Sequence, residues 1–131
     1  MNLLDENFPE DQRPILRAWR IPFRQIGREF PRSGIKDPDI IPLLHHQRRV
    51  TFFTLDKDFF EPSLCHPAYG IAFLDVRADD AAHFVRSFLR HARFNSGAKR
   101  MGVIARLHRD GIQFWQRNQA GLQRAKWSLG K

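Results

Sequence analysis

The sequence predicts an α/β protein built on a mainly parallel sheet, and three observations carry that prediction. Short apolar runs at 2–4, 50–54 and 70–76 alternate with segments of helical period, the order that places helices between parallel strands. Two of those runs, the uncharged VTFFT and the largely apolar GIAFLDV, do not alternate with charged residues, as strands buried on both faces do not. Near the C-terminus, residues 102–107 and 111–116 flank His108, Arg109, Asp110 and Gly111, and the Asp-Gly pair signals an antiparallel hairpin. A chain of 131 residues suits one domain with its own core, here 1–117, followed by a basic C-terminal tail, 118–131, read as helical or without structure.

In chain order, the first strand covers Asn2 to Leu4 and ends at Asp5, with Glu6 and Asn7 just beyond. A helix over about 10–19 follows, with Ile15, Leu16 and Trp19 inward; Pro14 fits only in its first turn. Residues 21–26 alternate in part and predict a second strand, and 27–34 a loop with Pro31, Ser33 and Gly34. KDPDIIPLLHHQ opens a helix: Asp37 at the N-cap, Pro38 at the first helical position, Asp39 in the first turn where the helix dipole favours an acid. The spacing of Ala81, Phe84, Val85, Phe88, Leu89 and Ala92 predicts an amphipathic helix over 79–94, whose other face carries Arg86, Arg90 and Arg93.

Composition narrows the function classes. No run of 18 apolar residues exists and the N-terminus is acidic, so neither a membrane span nor a signal peptide is expected, and the expected location is the cytoplasm. The single cysteine, Cys65, has no partner for an internal disulfide. Cys65-His66 and His45-His46 lack zinc spacing, and neither a Gly-rich phosphate loop nor a Gly-x-Ser-x-Gly elbow occurs. The net charge of +8 is segregated: residues 1–75 hold 10 Lys/Arg against 11 Asp/Glu, whereas 76–131 hold 12 Lys/Arg against Asp79, Asp80 and Asp110. Such a basic half points to a polyanionic partner, nucleic acid first.

Ligands of open α/β sheets bind outside the carboxyl ends of the strands. There the sequence sets Asp5 after the first strand, Asp56 and Asp58 after VTFFT, and Asp37 at the start of the helix feeding that strand. Four carboxylates in one crevice repel one another unless a cation neutralises them, and hard oxygen donors suit Mg²⁺ or Mn²⁺. Such an ion polarises a phosphodiester and lowers the pKa of bound water, so hydrolysis needs no side-chain nucleophile. Against this stand plain structural roles: Asp37 as a helix cap, Asp39 as a surface acid, Asp56-Lys57-Asp58 as a solvated turn, Asp5-Glu6 as an exposed pair. Toprim-like and sugar-nucleotide transferase folds also use Asp-x-Asp after a strand.

In order, LLDEN at 3–7, KDPDII at 36–41 and RVTFFTLDKDF at 49–59 resemble the short bacterial PIN-like domains of toxin–antitoxin-type operons, over nearly the whole chain to about Gln116. The resemblance implies a three-layer α/β/α sandwich around a parallel sheet. It implies a metal-dependent endoribonuclease, the toxin half of a toxin–antitoxin pair, using Mg²⁺ or Mn²⁺. Asp5, Asp37, Asp56 and Asp58 match its catalytic and metal-binding acids. Glu6 and Asn7 match positions that orient Asp5 or a metal-bound water. Arg86, Arg90, Arg93 and Lys57 are expected to contact the RNA backbone. The partners implied are single-stranded RNA and an antitoxin protein, with a homodimer left open. This chain carries no evident counterpart of the further acid that longer PIN nucleases hold on a helical arm, and Glu29 is not equivalent. The alternative is therefore a catalytically inactive PIN-like module that binds nucleic acid through the same basic surface.

Overall fold

A computed structural model of the chain describes residues 1–29, 37–47 and 49–127, with Asp37 and Pro38 described in backbone only. Seven strands, β1 (Asn2–Leu4), β2 (Arg24–Gln25), β3 (Val50–Thr54), β4 (Tyr69–Leu74), β5 (Val103–His108), β6 (Gly111–Gln116) and β7 (Gln123–Ala125), form one sheet in the spatial order β2-β1-β3-β4-β5-β6-β7. Pairings from β2 through β5 are parallel; β5–β6 and β6–β7 are antiparallel. The α/β class and mainly parallel sheet are thus as expected.

Strand β3 lies between β1 and β4, and all five of its residues are buried. Register pairs Leu3 with Phe52 and Leu4 with Phe53. Because successive side chains point to opposite faces, Leu3, Phe52 and Ile71 enter one apolar cluster, and Leu4, Phe53 and Ala72 the other. Helix α1 (Arg13–Ala18) covers the second cluster through Leu16; α2 (Asp37–His45) covers the first through Ile40 and Leu44. Helix α3 (Ala81–Arg90) adds Phe84, Val85 and Phe88 to the α1 side. Burying Phe52 and Phe53 contributes about 1.5–3 kcal/mol each, so β3 is a rigid mount for whatever follows it.

Several elements depart from expectation for identifiable reasons. The strand expected over 21–26 shrinks to two residues. Pro22 has no N–H to donate, and Ile21 donates its own to Leu16 O (3.0 Å), closing helix α1 instead. A further bond from Arg20 N to Arg17 O (2.9 Å) completes a Schellman cap, with Arg20 at φ 59° where glycine is usual. Arg20 is exposed, so Arg20→Gly is expected to raise the unfolding free energy by about 1 kcal/mol, read from urea denaturation. A lowered midpoint would contradict it.

The helix expected over 10–19 is split into a 3₁₀ turn (Glu10–Gln12) and α1, with Pro14 in the first turn. The helix expected over 79–94 stops at Arg90. There the buried His91 turns extended; its Nδ1 accepts from Arg93 N (3.1 Å) and its Nε2 meets Lys126 O (2.7 Å). At its start, Asp80 makes no side-chain cap; the buried Gln12 does so instead, accepting from Ala82 N (3.0 Å). A four-residue helix, α4 (Gly97–Arg100), leads into β5.

Past residue 117 the chain is neither helical nor unstructured through Trp127. Strand β7 pairs with β6, and Trp127 packs against the α3 cluster while donating Nε1–H to His108 O (2.6 Å). Of the loop expected at 27–34, residues 30–34 lie outside the described residues. No helix among the described residues is long and apolar enough to cross a membrane.

Candidate functional site

Between β1 and β3 the chain reverses its direction of travel across the sheet: β1 leads by way of α1 to β2, and β2 leads by way of α2, on the other face, to β3. The connection leaving the carboxyl end of β1 packs on one face through Leu16 and the turn leaving β3 on the other through Phe59, and ligands of open α/β sheets bind at such a switch point. Asp5 and Asp56 follow β1 and β3 at that point.

Asp5 extends the β1–β3 ladder by one bond, its N–H donating to Phe53 O (2.9 Å). The segment after it is clamped by Gln25, whose Nε2 donates to the carbonyls of Asp5 (3.0 Å), Glu6 (3.1 Å) and Phe8 (3.3 Å). Gln25 Oε1 in turn accepts from the buried Arg13 (2.7 Å), and Arg13 forms an ion pair with Glu29. Carbonyls only accept and guanidinium only donates, so these partners fix which way the Gln25 amide faces. Arg13 holds the Glu29 carboxyl down at about 2. Glu29 is therefore committed to this scaffold, which also receives Arg17 (3.2 Å).

Asp5 is only 9 % exposed. One carboxylate oxygen accepts from Glu6 N (2.7 Å) and the other from Thr54 Oγ1 (2.7 Å). Thr54 Oγ1 also accepts from Asp56 N (3.0 Å), and Asp56 Oδ1 accepts from Asp58 N (2.9 Å), capping the 3₁₀ turn Lys57–Phe59. A continuous hydrogen-bonded chain therefore runs Asp5–Thr54–Asp56–Asp58. Burial pushes the Asp5 carboxyl above its ordinary pKa; the bonds from Thr54 and Glu6 oppose this in part, and the charges of Asp56 and Glu6 add to it. Among the described residues no lysine or arginine forms an ion pair with Asp5.

That shift has a measurable consequence for stability. The folded protein takes up the Asp5 proton more readily than the unfolded chain. Asp5 therefore lowers stability as pH rises from the ordinary carboxyl range through its raised pKa, and the loss persists above it. Asp5→Asn is expected to be more stable than the wild type at pH 8, with the difference shrinking toward zero by pH 4. Paired urea titrations at the two pH values would check this, and a variant less stable at pH 8 would contradict it.

The remaining expected residues are distributed less tightly. Asp58 is exposed and lines a neighbouring cleft with Lys57. Asp37 begins α2, and its side chain falls outside the described residues; Asp39 is exposed. Glu6 and Asn7 are exposed, and Glu6 reaches Asp5 through its main-chain N–H. Arg86 stacks on Trp19, 3.7 Å from the ring centroid, and Arg93 on Phe114 at 4.8 Å; Arg90 is exposed at the end of α3. Two of the three arginines expected on RNA thus already hold intramolecular ring contacts.

Thr54, Gln25 and Arg13 were not singled out from the sequence. For Thr54 the signal was a hydroxyl at the end of the strand, directly after Phe52 and Phe53 and two residues before Asp56. Gln25 and Arg13 carry no local signal, since their partners lie 12–20 residues away.

Among the described residues no three His, Cys, Asp or Glu side chains form a metal-binding group. Asp5 and Asp56 are nonetheless hard oxygen donors at one edge, and Mg²⁺ commonly takes one or two carboxylates with water filling its other positions. The buried Asp5 charge, without a paired cation, fits such an ion. No family model, curated protein or solved structure matches this chain.

Proposed function

We propose that the chain is a PIN-like, three-layer α/β/α domain that acts as a metal-dependent endoribonuclease, the toxin half of a toxin–antitoxin pair. One observation carries this reading: a buried carboxylate, raised in pKa and unpaired among the described cations, bonded to Thr54, whose hydroxyl accepts the main-chain N–H of a second acid, Asp56, at the sheet's switch point. Holding Asp5 charged there costs stability, which a purely structural role does not explain.

Asp5 and Asp56, with Asp58 and Asp37 at the same edge, would hold Mg²⁺ or Mn²⁺. A bound ion of this kind supplies charge neutralisation at the phosphodiester and an activated water. The protein's own part is orientation. Thr54 and the Glu6 N–H keep both Asp5 oxygens fixed, the Gln25 clamp fixes the 5–8 backbone, and β3 fixes Asp56. Lys57 and arginines of the basic half attract the RNA backbone without reading sequence.

Purified protein with a mixed single-stranded RNA is expected to cleave it with Mn²⁺ and to stop in EDTA. Equal cleavage in both conditions would overturn the metal-dependent reading. A second reading, a PIN-like module that binds nucleic acid without hydrolysis, is supported by the basic second half of the chain, which needs no metal to attract phosphates. It predicts RNA binding that falls steeply with salt and ignores EDTA. The toxin assignment further predicts co-elution with the product of the adjacent reading frame.

A further inference from the structure

A cavity of about 810 Å³ opens at the carboxyl ends of β4 and β5, beside the N-terminus of α3. Its apolar wall is Trp127 against Phe84, ring centroids 5.5 Å apart, and the indole is held in place by its bond to His108 O. Around that wall stand Arg77 and Arg109, whose guanidinium groups have no partner among the described residues. Asp80 also lines it, and its side chain makes no bond among the described residues, Gln12 capping the helix in its place. A fixed aromatic face, two unpaired cations and one unpaired acceptor therefore share one concave site.

A second cleft adjoins the cavity at one residue. Asp75 lines the cavity and also lines the adjoining cleft of about 580 Å³ that contains Lys57 and Asp58. Asp75 is itself paired with Arg106, so the wall between the two clefts is neutralised. The two clefts meet only at Asp75: the first lies on the α3 side of the sheet, and the second, with Phe60, Phe73 and Gln113, lies over the opposite face.

We infer that this cavity seats one ribonucleotide, its base against Trp127, its phosphate on Arg77 and Arg109, and Asp80 accepting from a sugar hydroxyl or base amino group. A nucleotide is planar, anionic and hydrogen-donating at once, which is the combination these walls offer. The idea that this nucleotide is one unit of a cleaved strand rests on the ribonuclease reading; the mononucleotide site does not.

The test is a titration of the ¹⁵N-labelled full chain, in EDTA, with each of the four ribonucleoside 5′-monophosphates, with inorganic phosphate as control. At least one nucleotide is expected to shift the Trp127 indole N–H resonance and the amides of 77–80. Arg109→Ala and Arg77→Ala should each weaken that binding about tenfold or more. Both residues are exposed, so the fold should persist, as the remaining spectrum would show. Phosphate alone shifting the same resonances with equal affinity, unchanged affinity in both variants, or no shift with any nucleotide would each overturn the site. Nucleotide binding here in a protein that cleaves no RNA with Mn²⁺ would support the site and overturn the ribonuclease reading. Cleavage without nucleotide binding would do the reverse.

Discussion

Asp56→Asn is expected to lower Mn²⁺-dependent RNA cleavage by about 10³-fold while leaving the fold intact, a loss of roughly 4 kcal/mol in transition-state stabilisation. The fold should survive because the asparagine Oδ1 can still accept from Asp58 N, the one bond the Asp56 side chain makes among the described residues, and Asp56 N can still donate to Thr54. Only the charge is removed. Thr54→Val is the complementary variant: it leaves both acids but removes the hydroxyl that links the Asp5 carboxylate to the Asp56 main-chain N–H, and a smaller loss of about 10–100-fold is expected. Cleavage by Asp56→Asn at the wild-type rate would remove the acids from the chemistry. Wild-type secondary structure in both variants would exclude misfolding as the cause of any loss.

Gly70→Ala is expected to cost about 3 kcal/mol of stability, the upper end of ordinary overpacking. Gly70 sits in β4 between β3 and β5, and an added Cβ would stand 2.2 Å from the Arg100 carbonyl oxygen and 3.1 Å from its carbon. Backbone atoms of that segment have little freedom to retreat. Arg100 Nε donates to Thr51 Oγ1 (2.9 Å), its NH1 donates to Phe94 O (2.8 Å), and Gly102 N donates to Tyr69 O (2.9 Å). Gly97→Ala provides the contrast, since a Cβ there meets nothing within 4 Å and lies in helix α4, so it should be neutral or slightly stabilising. Urea midpoints of the two variants would decide. Equal midpoints would mean the 100–102 segment moves more easily than its bonds suggest.

Legibility in the sequence followed the range of the interactions concerned. Strands β1 and β3 and the β5–β6 hairpin could be read because apolar runs and an Asp-Gly turn act within a few residues. Asp5 and Asp56 could be placed at strand ends for the same reason, and their joint position then followed from the general behaviour of open α/β sheets. The end of α3 could not be read. Leu89 and Ala92 continue the helical period, but His91 finds a partner in Lys126, 35 residues away. The strand in the tail was illegible too, since Gln123, Arg124 and Ala125 have no β pattern of their own and pair only because β6 offers a free edge.

The sequence by itself determined the α/β class, the apolar strand that carries Asp56, the position of Asp5 and the basic character of the second half, all properties of residues close together in the chain. Tertiary structure alone decided that Asp5 is buried and bonded to Thr54, 49 residues on, and that Gln25 clamps the segment after it. It alone decided that Gln12 caps α3 from 70 residues away, leaving Asp80 beside Trp127 and two arginines that are unpaired among the described residues. The physical reason is the same throughout. A side chain's partner, and hence its charge state and freedom, is set by what the folded sheet brings within about 3 Å of it, and no local pattern encodes that distance.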